Sequence, residues 1–132
     1  MIQQKELMMN KQQFRNLNLF TIRYPFTAII SLLHRLSGIF VFLLIPFLLW
    51  MLDIATGSTV GFERVQTLLT NLPAKLILWL FLVALFYHLI AGIRHLLMDV
   101  GIGESLRSAR ISGGISLIIT VLVAILLGSW LW

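Results

Sequence analysis

Three long stretches of the chain contain no Asp, Glu, Lys or Arg, and they decide what it can fold into. They cover positions 36–52, 76–93 and 111–132 of the 132 residues. A helix needs about 20 mostly apolar residues, at 1.5 Å each, to cross the hydrocarbon core of a bilayer. Hydrophobic residues make up 59% of the sequence, more than a soluble domain of this length can bury. The sequence therefore predicts an all-α membrane protein with three transmembrane helices.

Residues that flank these stretches set the expected ends of the helices. Proline is tolerated in the first turn of a helix, so Pro25 predicts that the first helix covers about 26–52. The second is predicted at about 74–98, before the glycines at 101 and 103, and the third at about 110–131. Residues 61–72 are predicted to form a short surface helix. We expect a single membrane-anchor domain, 1–132, that begins with a polar tail at 1–25.

Basic residues and tryptophans separate to opposite ends of the predicted helices. The basic residues concentrate in the N-terminal tail and after the second helix, whereas all four tryptophans (Trp50, Trp79, Trp130 and Trp132) fall at the other ends. Positive charge favours the cytoplasmic side and tryptophan favours the interface, so both patterns predict a cytoplasmic N-terminus. The net charge of +5 is explained by these scattered membrane-flanking residues. We therefore expect no nucleic acid among the partners.

Two of the predicted helices carry ionisable residues inside an otherwise apolar segment. In the first helix Ser31, His34, Arg35 and Gly38 lie on one face, because their spacings of three, four and seven match the helical repeat. In the second helix His88 is predicted at a similar depth to His34, since the two helices run in opposite directions. A charge at mid-membrane costs about 2.5–3.5 kcal/mol on insertion scales. These residues are therefore candidates for function.

The two histidines allow two interpretations. A buried neutral imidazole is a common haem ligand, and a pair of imidazoles makes an electron-transfer haem with no open iron position. Gly92, one turn from His88, leaves room there for a flat cofactor. The alternative is that each histidine hydrogen-bonds a neighbouring helix and has only a packing role.

The remaining polar residues of the same region also have alternative roles. Arg35 is expected to be buried, although its length also allows the guanidinium to snorkel to the inner interface. Ser31 either takes part in a site or hydrogen-bonds its own helix backbone. His95 and Asp99, four residues apart near the inner surface, are predicted to form a solvated pair.

Two motifs carry a resemblance to a known family. The run SLLHRLSG at residues 31–38, which follows TIRYP at 21–25, resembles the first-helix signature S-x-x-H-R-x-[ST]-G. That signature belongs to the cytochrome b membrane-anchor subunit of succinate dehydrogenase (respiratory complex II). The run YHLIAGIRHLLMD at 87–99 resembles the H-x-x-x-G-x-R-H-x-x-x-D segment of the same family. The resemblance extends from about residue 17 to residue 132 and is nearest to the enterobacterial type.

The resemblance implies cofactors, partners and site residues. In that family the chain packs with a second three-helix anchor subunit, and one haem b lies between the two. His88 matches the position that ligates the haem iron, and His34 and Arg35 match positions near the haem propionates. Ser31 and Arg35 match positions that contact ubiquinone. The resemblance also implies that the chain itself holds no catalytic site for succinate. It docks the iron–sulfur and flavoprotein subunits at a bacterial inner membrane and helps to pass electrons to quinone.

Two other functions fit the same sequence. The anchor of a fumarate reductase runs the quinone reaction in the opposite direction, and some such anchors lack haem. The presence of His88 together with the His34–Arg35 pair favours succinate dehydrogenase. A haem-free membrane scaffold or transporter subunit would use the polar cluster for helix packing or for protons. A reduced-minus-oxidised optical spectrum of the purified complex distinguishes a haem protein from these alternatives.

Overall fold

The computed structural model describes residues 25–132, and these form four helices. The helices are α1 (Phe26–Gly57), α2 (Thr59–Thr70), α3 (Leu72–Asp99) and α4 (Leu106–Leu131). Of these, α1, α3 and α4 are long and apolar enough to cross a membrane, and the described part of the chain contains no strand. The predicted all-α fold with three membrane-spanning helices is confirmed. The predicted tail lies outside the described residues except for Pro25, which precedes α1 with an extended backbone.

Each long helix extends beyond the predicted membrane span. The helix α1 continues to Gly57, and within this extension the Thr56 hydroxyl donates a 2.9 Å hydrogen bond to the Leu52 carbonyl. The helix α4 begins at Leu106, because the Ser105 hydroxyl caps it by accepting from a backbone N–H. At 1.5 Å per residue, the 32 residues of α1 extend about 48 Å, against a hydrocarbon core of about 30 Å. The ends of α1 therefore reach into the polar interface.

The connections between helices are short. The predicted surface helix is present as α2, and its N-cap Ser58 accepts a 3.0 Å hydrogen bond from the Gly61 N–H. Gly101 and Gly103, predicted to end the second membrane helix, follow α3 with φ of 83° and 80°. These angles lie in the left-handed region that glycine adopts without steric cost. The tight turn they form brings α4 back against α3.

The helix α3 lies between α1 and α4 and contacts both. At one end of the bundle α4 also approaches α1, where a Cβ added to Gly113 would lie 3.2 Å from Ile30 Cγ1. At the other end the Trp79 indole donates a 2.9 Å hydrogen bond to the Ala124 carbonyl, and Lys75 Nζ lies 5.5 Å from the ring centroid of Trp132. These contacts place Trp79 and Trp132 at the same end of the bundle, in agreement with the predicted segregation of tryptophans.

The outward surface of the bundle is apolar. Large side chains on all three long helices are exposed, for example Phe42 on α1, Leu96 on α3 and Leu126 on α4. A soluble protein does not expose contiguous apolar surface of this extent, because water makes it unfavourable. The surface instead suits contact with lipid tails or with another apolar subunit.

Candidate functional site

Three imidazoles lie close together between α1 and α3. The rings of His34 and His88 are stacked, with centroids 4.2 Å apart and planes inclined by 14°. The ring of His95 lies 5.1 Å from that of His34, tilted by 43°. All three line a pocket of about 380 Å³ together with Gly92 and three apolar side chains of α3: Leu89, Ile93 and Leu96. The end of the bundle to which His95 extends, where α3 ends and α4 begins, is called the histidine end below.

The ring of His88 is held by two oxygens of α1. Its Nδ1 lies 3.1 Å from the His34 carbonyl oxygen and 3.2 Å from the Ser37 hydroxyl. The Ser37 hydroxyl itself donates to the same carbonyl at 2.7 Å. A carbonyl oxygen can only accept, so Nδ1 of His88 must carry the proton and donate it. This tautomer leaves the lone pair on Nε2 of His88 free to bind a metal.

Gly38 makes this position of His88 possible. A Cβ added to Gly38 would lie 2.8 Å from Cε1 and 3.2 Å from Nδ1 of the His88 ring. Contacts of that length are not tolerated without movement of the ring, so only glycine lets α3 bring the imidazole onto the α1 backbone. On α3, a Cβ added to Gly92 would lie 3.4 Å from His34 Nε2. The space expected beside Gly92 is therefore shared with the His34 ring.

Two nitrogen atoms in the pocket are without partners. Nε2 of His34 and Nε2 of His95 are both buried and have no hydrogen-bond partner among the described residues. A buried polar group without a partner costs about 1–3 kcal/mol. His95 was predicted to form a solvated pair with Asp99. That prediction is wrong for Nε2 of His95, which is buried in a ring that lies near His34. The pocket therefore suits a group that supplies polar atoms to these two nitrogens.

The structure places Ser31 and Arg35 one turn apart on α1, at the same end as the histidines. Ser31 is half-buried and Arg35 is exposed. The expected burial of Arg35 is therefore not provided by the helices of this chain, and its guanidinium is available to a ligand, a partner or the interface. The residues of the first-helix motif thus divide into a part packed against α3 (His34, Ser37 and Gly38) and a part that remains accessible.

Arg94, an ionisable residue of the second predicted helix and a fixed position of the second motif, has a packing role that the sequence did not predict. It is only 7% exposed. Its Nε donates to the Ser112 hydroxyl and its Nη2 to the Ala109 carbonyl, both at 2.9 Å. The sequence contains one signal for this role, because the spacing of Tyr87, Ala91 and Arg94 places them on one helical face. In the structure all three are buried. That face attaches α3 to α4 beside the histidine pocket.

Tyr87 attaches the same face of α3 to α1. Its hydroxyl donates a 3.0 Å hydrogen bond to the Ile30 carbonyl, which lies one turn before His34. Together with the Arg94 contacts, this bond fixes α3 against both neighbouring helices. The relative position of the His34 and His88 rings therefore depends on contacts outside the pocket.

Comparison with known proteins agrees with the motifs. The model of the succinate dehydrogenase/fumarate reductase transmembrane subunit family matches residues 9–127. The chain is 40% identical over 125 residues to the succinate dehydrogenase cytochrome b556 subunit of Coxiella burnetii, which covers 94% of this chain and 100% of that one. It is 31% identical over 101 residues to the subunit of the same name in Rickettsia typhi, covering 76% of this chain and 78% of the relative.

A relative from a third genus gives the same result. The succinate dehydrogenase cytochrome b556 subunit of Paracoccus denitrificans is 32% identical over 104 residues, covering 79% of this chain and 80% of that one. The family match spans most of the chain and includes both motifs, the first two membrane-spanning helices and most of the third. The chain therefore belongs to the family of succinate dehydrogenase/fumarate reductase transmembrane subunits.

Proposed function

We propose that the chain is the membrane-anchor subunit of a bacterial succinate dehydrogenase that binds haem b and helps to form the site where ubiquinone is reduced. The relatives are named as cytochrome b556 subunits of succinate dehydrogenase, which favours this enzyme over a fumarate reductase. The chain does not oxidise succinate in this proposal. It connects the iron–sulfur subunit to quinone within the membrane.

One observation carries the haem proposal, namely the hydrogen bond that fixes the tautomer of His88. The His34 carbonyl accepts from Nδ1 of His88 at 3.1 Å, so Nε2 is the nitrogen that can bind the haem iron. Ligating histidines usually donate their other ring nitrogen to a backbone carbonyl in this way. A histidine of the partner anchor subunit would complete the pair of axial ligands. Such a haem supplies one-electron transfer without an open iron position.

The propionates of the haem are assigned to His34 and Arg35. Nε2 of His34 is buried in the pocket without a partner among the described residues, and a carboxylate oxygen would accept a hydrogen bond from an N–H at this position. The guanidinium of Arg35 is exposed one residue further along α1 and presents a permanent positive charge. Both residues precede Ser37 on α1. They therefore lie nearer to the histidine end than Ser37, which contacts His88.

The quinone site is assigned to Ser31 and Arg35. Negative charge develops on the quinone oxygens during reduction, so a hydroxyl donor and a guanidinium stabilise the reduced form more than the oxidised form. Ser31 is half-buried and Arg35 exposed, and both therefore remain available to a ligand. A site near the cytoplasmic surface can also take the required protons from water.

The partners follow from the surface of the bundle. In the proposal, a second three-helix anchor subunit packs on the face that carries the histidine pocket, and lipid covers the remaining apolar surface. The iron–sulfur and flavoprotein subunits dock at the histidine end, which faces the cytoplasm if the N-terminus is cytoplasmic. The complex is placed in the bacterial inner membrane, because the three helices suit a bilayer and the relatives are bacterial.

Paired substitutions in the assembled complex test the haem assignment. His88→Leu removes one axial ligand and should abolish or shift the low-spin b-type spectrum in a reduced-minus-oxidised measurement. His34→Leu keeps both axial ligands and should leave that spectrum in place. The complex is purified in detergent, and its subunit composition is checked for each variant.

Each result has a defined consequence. Reversed spectra for the two variants would make His34 the ligand. A parental complex with no haem b band would favour the haem-free scaffold or a haem-free fumarate reductase anchor. Succinate-dependent reduction of ubiquinone by the parental complex supports the enzyme assignment, and its absence in an intact complex argues against it.

A further inference from the structure

Tyr87 directly precedes His88 on α3, but it is not a fixed position of the second motif, which begins at the histidine. Its side chain is only 6% exposed. Its hydroxyl donates a 3.0 Å hydrogen bond to the Ile30 carbonyl, 57 positions away on α1. The proposed function gives this buried bond between two membrane helices no role.

The acceptor of this bond keeps its own helical partner. In an α-helix each carbonyl accepts from the N–H four residues later, so the Ile30 carbonyl is also the acceptor for the His34 N–H. A carbonyl oxygen has two lone pairs and can accept from both donors. Removal of the Tyr87 hydroxyl therefore leaves no backbone group of this turn without a partner. The bond is not needed to complete α1, and what it adds is a fixed position of α1 against α3.

Ile30 is also the residue at which α4 meets α1. Its side chain is fully buried, with 0% exposed. A Cβ added to Gly113 of α4 would lie 3.2 Å from Ile30 Cγ1 and 3.7 Å from Ile30 Cγ2. The small residue thus lets the two helices approach closely at this point. Ile30 is held by α3 through its carbonyl and by α4 through its side chain.

The next residue of α1 is Ser31, which contacts quinone in the proposed function. A helix holds each residue rigidly relative to the one before it, so the contacts of Ile30 also fix the backbone from which the Ser31 hydroxyl projects. Precise placement of such a group matters, because a displacement of about 1 Å can cost about 100-fold in rate. The contacts of Ile30 therefore bear on the geometry of the quinone site.

We propose that Tyr87 is a positioning residue of the quinone site, which holds the turn of α1 that carries Ser31 in a fixed place against α3. This inference rests on the proposed quinone site. Tyr87 does not contact the quinone. Its hydroxyl acts through Ile30, and Gly113 supports the same residue from α4.

Tyr87→Phe removes the hydroxyl alone and tests the proposal in the assembled complex. We expect kcat for succinate–ubiquinone reduction to fall by about two- to tenfold, which corresponds to the net contribution of one neutral hydrogen bond. KM for ubiquinone should stay near the parental value, because the charge that Ser31 stabilises develops only during reduction. The low-spin b-type spectrum should persist, since both proposed axial ligands remain.

The double variant Ser31→Ala/Tyr87→Phe separates positioning from a general structural effect. If Tyr87 acts through the Ser31 hydroxyl, Tyr87→Phe should lower kcat in the parent but not in the Ser31→Ala background. Equal fold-changes in the two backgrounds would show that Tyr87 acts independently of Ser31, and the proposal would be wrong. Parental kcat in Tyr87→Phe would overturn it as well.

Infrared difference spectroscopy provides a readout that does not depend on turnover. With ubiquinone labelled by ¹³C at its carbonyls, a carbonyl band moves to higher frequency when a hydrogen bond to that carbonyl is lost. Ser31→Ala should raise the frequency of one band, and Tyr87→Phe should raise the same band by a smaller amount. An unchanged band in Tyr87→Phe would contradict the proposal.

Ser116→Ala is the matched control. Ser116 is 4% exposed, and its hydroxyl donates at 2.9 Å to the Ser112 carbonyl of its own helix. Loss of this buried hydroxyl should leave kcat and the carbonyl bands at the parental values. Equal losses in Ser116→Ala and Tyr87→Phe would indicate a general effect of removing a buried hydroxyl and would overturn the proposal. Parental quinone reduction in Ser31→Ala would instead remove Ser31 from the proposed quinone site, and this inference would fail with it.

Discussion

The imidazole of His88 lies directly on Gly38, 50 residues earlier in the chain, where a Cβ would come within 2.8 Å of the ring. Gly38→Ala should therefore displace the ring and break the bond between Nδ1 and the His34 carbonyl. We expect the complex to assemble with reduced haem content or with an altered low-spin spectrum. Haem quantified per complex, together with the optical spectrum, measures the effect.

Gly114→Ala is the matched control for this substitution. Gly114 also lies inside a membrane helix, but nothing lies within 4 Å of an added Cβ. The same chemical change should therefore leave the haem content and spectrum unaltered. Equal loss of haem in both variants would indicate a general effect of alanine on assembly and would remove the support for the Gly38 contact.

Ser37 is expected to tune the redox potential of the haem through His88. Its hydroxyl donates to the His34 carbonyl at 2.7 Å and competes there with the His88 N–H. In Ser37→Ala the His88 N–H loses its longer 3.2 Å contact with the hydroxyl but donates to a carbonyl that no longer accepts from Ser37, so the ring becomes a better electron donor and favours the oxidised iron. We expect the midpoint potential to fall by roughly 20–60 mV, where 59 mV corresponds to a tenfold change for one electron.

A conservative variant checks the role of the Ser37 hydroxyl. Ser37→Thr retains the hydroxyl and should keep the parental potential in a redox titration of the purified complex. A rise in potential for Ser37→Ala, or equal shifts in both variants, would contradict the proposed competition for the carbonyl. The optical spectrum should remain low-spin in each case, because neither change removes an axial ligand.

Arg94 is expected to matter for stability. In Arg94→Leu the two 2.9 Å hydrogen bonds to α4 are lost, and we expect the complex to be destabilised by about 1–3 kcal/mol. Arg94→Lys keeps the charge but cannot reproduce the two directed contacts of the guanidinium, so it should recover little. Thermal unfolding in detergent measures the change. Arg110→Leu replaces an exposed arginine near the start of α4 and is the control. The complex with this substitution should unfold at the parental temperature.

The helices and the common depth of His34 and His88 were predictable because each depends on a regular spacing. Charge-free stretches predicted three spans, and antiparallel helices predicted that the two histidines lie at a similar depth, whereas the stacking of their rings was not predicted. The contact between Ser37 and His88 was not predictable in the same way, since it joins residues 51 positions apart. It requires knowledge of how far α1 and α3 approach each other, which Gly38 determines.

Burial of polar residues was the least predictable feature. Arg94 and Arg35 are both arginines near the end of an apolar segment, and composition does not distinguish them. The structure buries Arg94 because α4 presents a carbonyl and a hydroxyl to it, whereas Arg35 faces outward. The inward position of His95 likewise depends on its packing near His34, which the four-residue spacing to Asp99 does not reveal.

The orientation in the membrane is testable by reporter fusions. Basic residues and tryptophans separate to opposite ends, which predicts that the C-terminus after Trp132 lies on the periplasmic side. Alkaline phosphatase fused there is active only if it is exported, so the fusion should be active. A fusion in the loop between α3 and α4, at residues 101–105, should be inactive. The reverse pattern would invert the assignment of the histidine end to the cytoplasm.

Ser31 and Arg35 are expected to affect quinone reduction without affecting succinate oxidation. A hydroxyl and a guanidinium one turn apart stabilise the charge that develops on the quinone, so Ser31→Ala or Arg35→Leu should lower succinate–ubiquinone reductase activity by about tenfold or more. Succinate oxidation with a soluble artificial acceptor should persist, because the flavin chemistry belongs to another subunit. Subunit composition must first show that the Arg35 variant assembles, and Arg35→Lys should recover part of the rate through its charge. Parental quinone reduction by intact complexes of both Ser31→Ala and Arg35→Leu would place the quinone site elsewhere.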